Sequence, residues 1–445
     1  MGIFPHIPQA SVILAPEALE AYRQDESHLR GPLPLAVVKP HGPEALRELV
    51  RRATTEGFAL VPRGAGTGKA GGAVPLDRSV IVDLADWPGQ IQISKADATL
   101  SAPARSLLKE VKGAALAQGL FYPPDPNSWD QCGFGGSLAT NAGGPGACKY
   151  GMTRNWVLAL NALMADGEIH TFGIATVKNN AGPALAQLLV GSEGIFGLIL
   201  GATVRLLPAP QERLTLLLPV KDWHALLDLP AVLVSAGLLP SAFEFWDPAV
   251  LELLRQFGPE EARRMPGEAL ALLEFDDPGC TSEAFLERVM ELLGPQAEEL
   301  QLATDARQRE ALWAVRRQTS VVLKERFPKK VSEDIVVPRS QVRQFFEGAE
   351  ALGLPLVTYG HLGDGNLHVN FLQAGECTVE EMDAHLLALF RLCLQLGGTL
   401  SGEHGIGLAK RDAFLQLADP YQIEALRALK RALDPMGIFN PGKVI

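Results

Sequence analysis

Two short stretches of this chain gather the groups that bind metals and move protons. The first is Tyr359-Gly360-His361-Leu362-Gly363-Asp364-Gly365-Asn366-Leu367-His368, the second Ser401-Gly402-Glu403-His404-Gly405-Ile406-Gly407. His361, His368 and Glu403 supply two imidazoles and one carboxylate. Three protein ligands leave coordination positions open, and an open metal acts on a substrate rather than only holding a fold. A divalent ion, zinc or manganese, suits this donor set. A single histidine in a glycine-rich stretch is usually a surface residue. Four ionisable groups in two such stretches, with His404 beside Glu403, read instead as a site. The glycines imply tight turns around it. Neighbours on an extended strand point to opposite faces, so Glu403 and His404 meet at one site only if Gly402 and Gly405 bend the backbone.

Two glycine-rich loops suggest a second ligand. Gly66-Thr67-Gly68-Lys69-Ala70-Gly71 fits the GxGxxG pattern. A Rossmann loop must open a helix, yet Val74-Pro75-Leu76-Asp77 and a strand follow. A P-loop needs Ser or Thr where Ala70 stands and Gly where Arg63 stands. Successive small residues still expose backbone N–H groups in an anion-binding nest, for which a pyrophosphate is the natural guest. The stretch from Pro124-Asp125-Pro126-Asn127 through Gly135-Gly136-Ser137-Leu138-Ala139-Thr140-Asn141-Ala142-Gly143-Gly144 has the same character, and Gly191-Ser192-Glu193-Gly194 offers a third contact. Two loops of this kind fit a long ligand with a diphosphate, such as a dinucleotide.

These segments need elements to carry them. Leu35–Val38 reads as a strand. Pro43 opens a helix with an apolar face of Leu46, Leu49, Val50 and Ala53, and Gly57 ends it. Phe58–Val61 and Ser79–Leu84 are strands flanking the first loop. Leu107–Leu116 is a helix. Val157–Met164 and Glu168–Phe172 form a hairpin turning at Asp166-Gly167, and Pro183–Val190 is a short helix. The Leu207-Pro208-Ala209-Pro210 stretch marks a domain boundary. Helix–strand units follow, with one charged helical stretch over Glu283–Arg317, an amphipathic helix over Leu386–Leu396, and helical sequence up to Ala432.

The chain has 445 residues, enough for more than one core. Apolar residues make up 47% and charged residues 20%, as in a globular protein. The net charge of −11 excludes a nucleic-acid footprint and a polybasic membrane anchor. No apolar run approaches the ~20 residues that span a bilayer, and Met1–Val12 lacks signal-peptide features. The expectation is a cytoplasmic protein, at most peripheral to a membrane. Five cysteines, odd in number and without a CxxC pair, fit reduced thiols and no iron–sulfur cluster in this chain.

The Pro62–Pro75 loop, the Pro124-Asp125-Pro126 to Gly143-Gly144 block and Gly191-Ser192-Glu193-Gly194 resemble the FAD domain of the vanillyl-alcohol-oxidase (PCMH) type. The His361–His368 and Ser401–Gly407 segments and Asn440-Pro441-Gly442-Lys443 resemble the FAD-linked D-2-hydroxyacid dehydrogenases and glycolate oxidase flavin subunits, in the right order and over nearly the whole chain. The resemblance implies an α+β fold. Residues 1–208 would form the FAD-binding domain, residues 209–395 an antiparallel-sheet cap that takes substrate, and residues 396–445 a segment returning to the FAD domain. FAD would be held by Pro62, Arg63, Gly64, Ala65, Gly66, Thr67, Gly68, Gly71 and Gly72, by Pro124 and Asp125, by Gly135, Gly136, Ala139, Thr140, Asn141, Gly143 and Gly144, and by Glu193, Gly194 and Asn440. His361, His368 and Glu403 would bind the metal, and His404 would be the catalytic base. Arg316 would hold the substrate carboxylate, with Ser320 and Asn370 as further substrate contacts. Lys330 lies near, but out of register with, a lysine that the hydroxyglutarate enzymes use, which argues against a dicarboxylate. The first loop holds Thr67 and no histidine, so FAD is expected to be non-covalent. The implied partners are a small 2-hydroxy acid, iron–sulfur and flavin subunits, and a second copy in a homodimer.

The chemistry would be oxidation to a 2-oxo acid. Arg316 would clamp the carboxylate, His404 would take a proton, and a hydride or an electron pair left by a carbanion would reach the flavin. Oxygen, a quinone or a partner protein would then take the electrons. Two other readings compete. A non-redox transferase of the alkyl-glycerone-phosphate synthase kind should carry an alternating His-x-His motif, whereas His361 and His368 are seven residues apart. A non-catalytic flavin or scaffold subunit could lose its metal set, which this chain keeps.

Overall fold

The computed structural model describes residues 6–445. The leaderless start expected at Met1–Val12 falls in part on residues 1–5, outside the described residues. Helices and sheets mix throughout, an α+β architecture in two compact units. The first takes Met1–Gly143, Met152–Ala209 and Glu403–Ile445, and the second Gly144–Gly151 and Pro210–Gly402.

In the first unit, Ala36–Pro40, Ser79–Asp83 and Ala59–Arg63 lie side by side and parallel, with Ala10–Ile13 antiparallel at one edge. The helix Pro43–Glu56 starts at its proline and buries Leu46, Leu49, Val50 and Ala53 in the core beside these strands. It stops at Gly57, whose φ of 69° suits a residue without a Cβ. The far end of the chain also joins this sheet. Leu60 N–H donates to Ile438 O at 2.7 Å, and Asn440 N–H to Leu60 O at 2.9 Å, while Ile438 and Phe439 enter the same core. A five-stranded antiparallel sheet follows, in the order Gln92–Ser94, Thr99–Pro103, Leu198–Arg205, Val157–Leu163, Ile169–Gly173. The last two strands are the hairpin expected at Asp166-Gly167.

The second unit is built on a seven-stranded antiparallel sheet. Its order is Gln301–Ala303, Leu214–Val220, Ala269–Phe275, Ala242–Trp246, Val357–His361, Asn366–Phe371, Val331–Val336. Leu214–Val220 and Ala269–Phe275 are buried at every residue, so they read as continuous apolar runs rather than as alternation. The helix Ala306–Arg326 places Val315, Val322 and Leu323 in one core with Trp246, Leu270 and Tyr359.

Several expectations need correction. His361 and His368 lie on paired strands rather than in loops, and only residues 362–365 turn. The charged stretch Glu283–Arg317 is not one helix. Gly294, at φ 54°, ends the helix Glu283–Leu293, and Asp305 caps a new one. The second glycine-rich loop contains a helix, Phe134–Thr140, and its Gly135 packs where a Cβ would stand 2.5 Å from the Ala104 Cβ. The helix expected over Pro183–Val190 shrinks to Ala186–Leu189, while that over Leu386–Leu396 extends to Val379–Gln395 behind a Thr378–Glu381 capping box. Residues 144–151 belong to the second unit, where Lys149 and Tyr150 reach Asp276 at 2.6 and 2.7 Å. Residues 396–402 also belong there, since Thr399 bonds to Val336 and Gly402 to Asp334. Among the described residues no helix is long and apolar enough to cross a membrane.

The C-terminal segment anchors the first glycine loop through Lys443. Its wholly buried ammonium donates to Gly72 O at 2.8 Å and Val74 O at 2.5 Å. Burial pulls its pKa down from 10.5 to about 7, against the opposing pull of Asp25 and Glu193. Between those pH values the unfolded chain holds a proton that the folded one lacks, so stability rises with pH across the window and is lowest below it. The thermal midpoint is therefore expected to gain from this group between pH 7 and 10. Lys443→Met should flatten that rise; an identical pH profile in the variant would show that Lys443 is not its source.

Candidate functional site

The first unit encloses a cavity of about 500 Å³, a size usual for cofactor sites. Two of its walls are the glycine-rich segments. Of the residues expected to hold FAD, Pro62, Arg63, Gly64, Ala65, Gly66, Thr67, Gly68, Gly72, Gly135, Gly136, Ala139, Thr140, Gly143, Glu193 and Gly194 line it. Gly71, Pro124, Asp125, Asn141 and Asn440 do not, and Gly144 lies in the second unit. Asn440 stands behind the lining, where its amide donates to Gly72 O at 3.1 Å and Glu193 O at 2.7 Å. Its buried Oδ1 has no partner among the described residues. The lining also includes Asn127, Gln131 and Cys132 from the second glycine-rich stretch, and Arg105, which no glycine pattern marked. Burial pushes the Cys132 thiol up to about 11, so it stays protonated.

Glu403 and His404 line this same cavity, with Glu403 Oε1 3.7 Å from His404 Nε2. The backbone bends over residues 402–404; of the two glycines expected to turn it, Gly405 stands at φ 87° and Gly402 is not at positive φ, while Gly407 follows at φ 48°. Glu193 holds the bend. Its Oε1 accepts from Ile406 N–H at 2.7 Å and Gly407 N–H at 3.2 Å. Burial raises the Glu193 carboxyl even against these bonds and against Lys443 and Lys410. The sequence marked Glu193 only as a cofactor contact.

In the second unit, His361 Nε2 and His368 Nε2 converge to 3.3 Å. Two nitrogen ligands at about 2.05 Å from a tetrahedral zinc lie about 3.3 Å apart, so the pair fits a shared ion. His361 Nδ1 is 2.6 Å from Glu244 Oε1. The other oxygen of Glu244 accepts from Arg316 Nε. Burial alone would raise the Glu244 carboxyl, but Arg316 and His361 outweigh it and hold it below the usual carboxylate range. Arg316 lies over the Tyr359 ring, 5.0 Å from its centroid. Ser320 follows one helical turn later and is half-buried. Asn370 is wholly buried and its amide is engaged at both ends. Its Oδ1 accepts from Ser332 Oγ at 2.7 Å and Lys330 Nζ at 3.0 Å, and its Nδ2 donates to His368 O at 3.0 Å. Lys330, out of register in sequence, thus reaches the Asn370 side chain. Glu403 opens the last segment of the first unit and follows Gly402, whose N–H donates to the Asp334 carboxylate at 3.0 Å.

Residues 209–444 match the C-terminal domain of FAD linked oxidases, and residues 34–173 match an FAD binding domain. The chain belongs to the FAD-linked oxidase family. Whole-chain relatives agree. A D-lactate dehydrogenase of Archaeoglobus fulgidus is 34% identical over 438 residues, covering 96% of each chain. The glycolate oxidase subunit GlcD of Bacillus subtilis is 30% identical, covering 95% of this chain and 91% of its own. A D-2-hydroxyglutarate dehydrogenase of Xanthomonas citri pv. viticola is 31% identical, covering 98% and 95%. Among solved structures, an alkyldihydroxyacetonephosphate synthase superposes with a TM-score of 0.69 at 18% identity, over 97% of this chain and 82% of that one, which establishes a shared fold. This FAD-linked oxidase is an oxidoreductase with a PCMH-type FAD-binding domain.

Gly405 tests the turn that carries His404. A Cβ there would stand 2.8 Å from Glu193 Oε1, at a φ of 87° that other residues rarely adopt. Gly405→Ala is expected to cost about 1–3 kcal/mol and to loosen FAD retention on gel filtration. A variant that melts and holds FAD like the parent would show that the turn is not constrained by Glu193.

Proposed function

We propose that this oxidoreductase converts a small D-2-hydroxy acid, such as glycolate or D-lactate, to its 2-oxo acid. The observation that carries the reading is the convergence of the two imidazoles beside Arg316 in the second unit. A carboxylate anchor and a bidentate imidazole pair suit a substrate with a carboxylate and an adjacent hydroxyl. The named activities of the Archaeoglobus and Bacillus relatives support the same substrate class.

Arg316 binds the substrate carboxylate. The Glu244 bond occupies only its Nε, and its terminal nitrogens make no hydrogen bond to the described residues. His361 and His368, with Glu403, hold a divalent metal, zinc or manganese. When bound, such an ion lowers the pKa of the substrate hydroxyl. His404 takes the hydroxyl proton as general base. Non-covalent FAD supplies the acceptor for the hydride that leaves Cα. Ser320, on the same helical face as Arg316, contacts the bound acid, while Asn370 shapes the strand beside it. Electrons would leave to a quinone or a partner subunit, since the five cysteines are widely spaced without a CxxC pair and give this chain no iron–sulfur motif. Lys330 beside Asn370 restores a cation where the register had argued against one, so substrate length is decided by assay.

The test is anaerobic bleaching of the flavin spectrum across a panel of D-2-hydroxy acids. Bleaching by one or more small members is expected, and bleaching by none would favour a non-catalytic subunit. In the same preparation, acid precipitation should leave all yellow colour in the supernatant. Colour on the pellet would show a covalent flavin.

His404 and Glu403 are expected to separate in function. His404→Ala should keep FAD and metal and slow flavin reduction by about 10²–10⁴-fold, whereas Glu403→Ala should lose about one metal equivalent. Stopped-flow reduction beside elemental analysis reads both. Near-normal reduction in the first variant would make His404 a bystander, and loss of metal would make it a ligand.

A further inference from the structure

Glu244 takes no part in the chemistry proposed above, yet it is wholly buried and touches two residues that do. It lies on Ala242–Trp246, directly opposite His361 in the antiparallel register. Paired residues project to the same face of a sheet, so this register alone brings carboxylate and imidazole together. Its oxygens are divided: Oε1 meets His361 Nδ1 at 2.6 Å, and Oε2 meets Arg316 Nε.

We propose that Glu244 is a positioning residue that couples the metal ligand His361 to the substrate clamp Arg316, fixing the imidazole tautomer with one oxygen and the guanidinium orientation with the other. This rests on the metal and carboxylate roles proposed above.

The geometry separates this role from plain charge neutralisation. A carboxylate that only neutralised Arg316 would be expected to take two parallel bonds from the guanidinium. Glu244 gives it one, through Nε, and spends its second oxygen on His361. That bond requires the His361 proton on Nδ1, which leaves a lone pair on Nε2, the atom 3.3 Å from His368 Nε2. Carboxylates that hold the distal nitrogen of a ligating histidine in this manner fix its ring and raise its basicity. The Arg316 end is held from other sides as well. The guanidinium lies over the Tyr359 ring, and Trp246 Nε1 bonds Thr319 Oγ1 at 2.8 Å, just short of one turn along the same helix. A change at Glu244 should therefore reach the metal and the substrate together, although it touches neither.

Zn²⁺ affinity of the FAD-loaded protein, measured by competition with a chromophoric chelator, tests the metal arm. Glu244→Gln is expected to weaken it about 10–100-fold with flavin content unchanged, and to raise KM for the best hydroxy acid more than it lowers kcat. Unchanged Zn²⁺ affinity in the variant, beside a wild type that binds Zn²⁺, overturns the proposal alone. A wild type that binds neither Zn²⁺ nor Mn²⁺ overturns the metal reading and the proposal with it. A measurement on the unmutated protein removes any dependence on the variant's folding. Long-range ¹H–¹⁵N correlations of ¹⁵N-histidine protein with Zn²⁺ should show the His361 proton on Nδ1. A metallated Nδ1 would overturn the assignment.

Discussion

A carboxylate cannot be buried without partners, and the kind of partner decides its state. Three buried acids of this protein show the rule. Glu244 faces a guanidinium and an imidazole, and their attraction exceeds the cost of burial, so it is held ionised. Glu193 accepts from two backbone N–H groups, the pull of Lys443 and Lys410 is weaker still, and burial wins. Asp247 is met by backbone N–H groups and no cation, those of Val250 and Thr358 among them, and burial pushes it up to about 7. A full charge in contact outweighs desolvation where dipoles do not. Each unit thus has one buried glutamate set against its functional residues. Glu193 fixes the turn after His404, and Glu244 joins His361 to Arg316.

The two glutamates differ in what they make rigid. Glu244 acts between side chains on neighbouring strands and a packed helix, where the sheet register already limits movement. Glu193 acts on bare backbone. The two consecutive N–H groups that meet one Glu193 oxygen lie in a turn whose Gly405 and Gly407 stand at positive φ, which glycine adopts without a Cβ penalty. The bend over residues 402–404 leaves two adjacent side chains, Glu403 and His404, on one cavity wall. An extended backbone would have sent them to opposite sides.

Much of this could be read from residue types. The helix Pro43–Glu56 carried its start, face and stop in the sequence. The glycine segments marked most of the cavity, because backbone approach to a ligand leaves glycines behind. Histidine and glutamate at metal-binding spacing marked the imidazole pair. Glu244 was illegible because its role lies in pairing opposite His361, 117 positions away, and strand register is a property of the sheet. The contact of Lys330 was hidden for the same reason. Counted along the chain this lysine is out of place, but the side chain spans the offset to Asn370. The single helix expected over Glu283–Arg317 failed because charge pattern was weighed above Gly294-Pro295, a break that the residue types did signal.

The order of the chain adds a last constraint. Along the chain the second unit is nearly continuous and interrupts the first, whose final segment is made only after it. Leu60 pairs with Phe439, so the first sheet closes across 379 residues (439 − 60). Contacts this distant in sequence form late, since the intervening chain must be ordered before they repay its entropy. The cavity wall at Glu403 and His404, and the Gly72 carbonyl gripped by Asn440 and Lys443, all depend on that late segment. A chain lacking it could form the strands Ala36–Pro40 and Ser79–Asp83 but would leave the cavity open on the side that carries His404. The same segment that supplies the proposed base therefore completes the flavin cavity, and cofactor retention and proton transfer share one structural dependence.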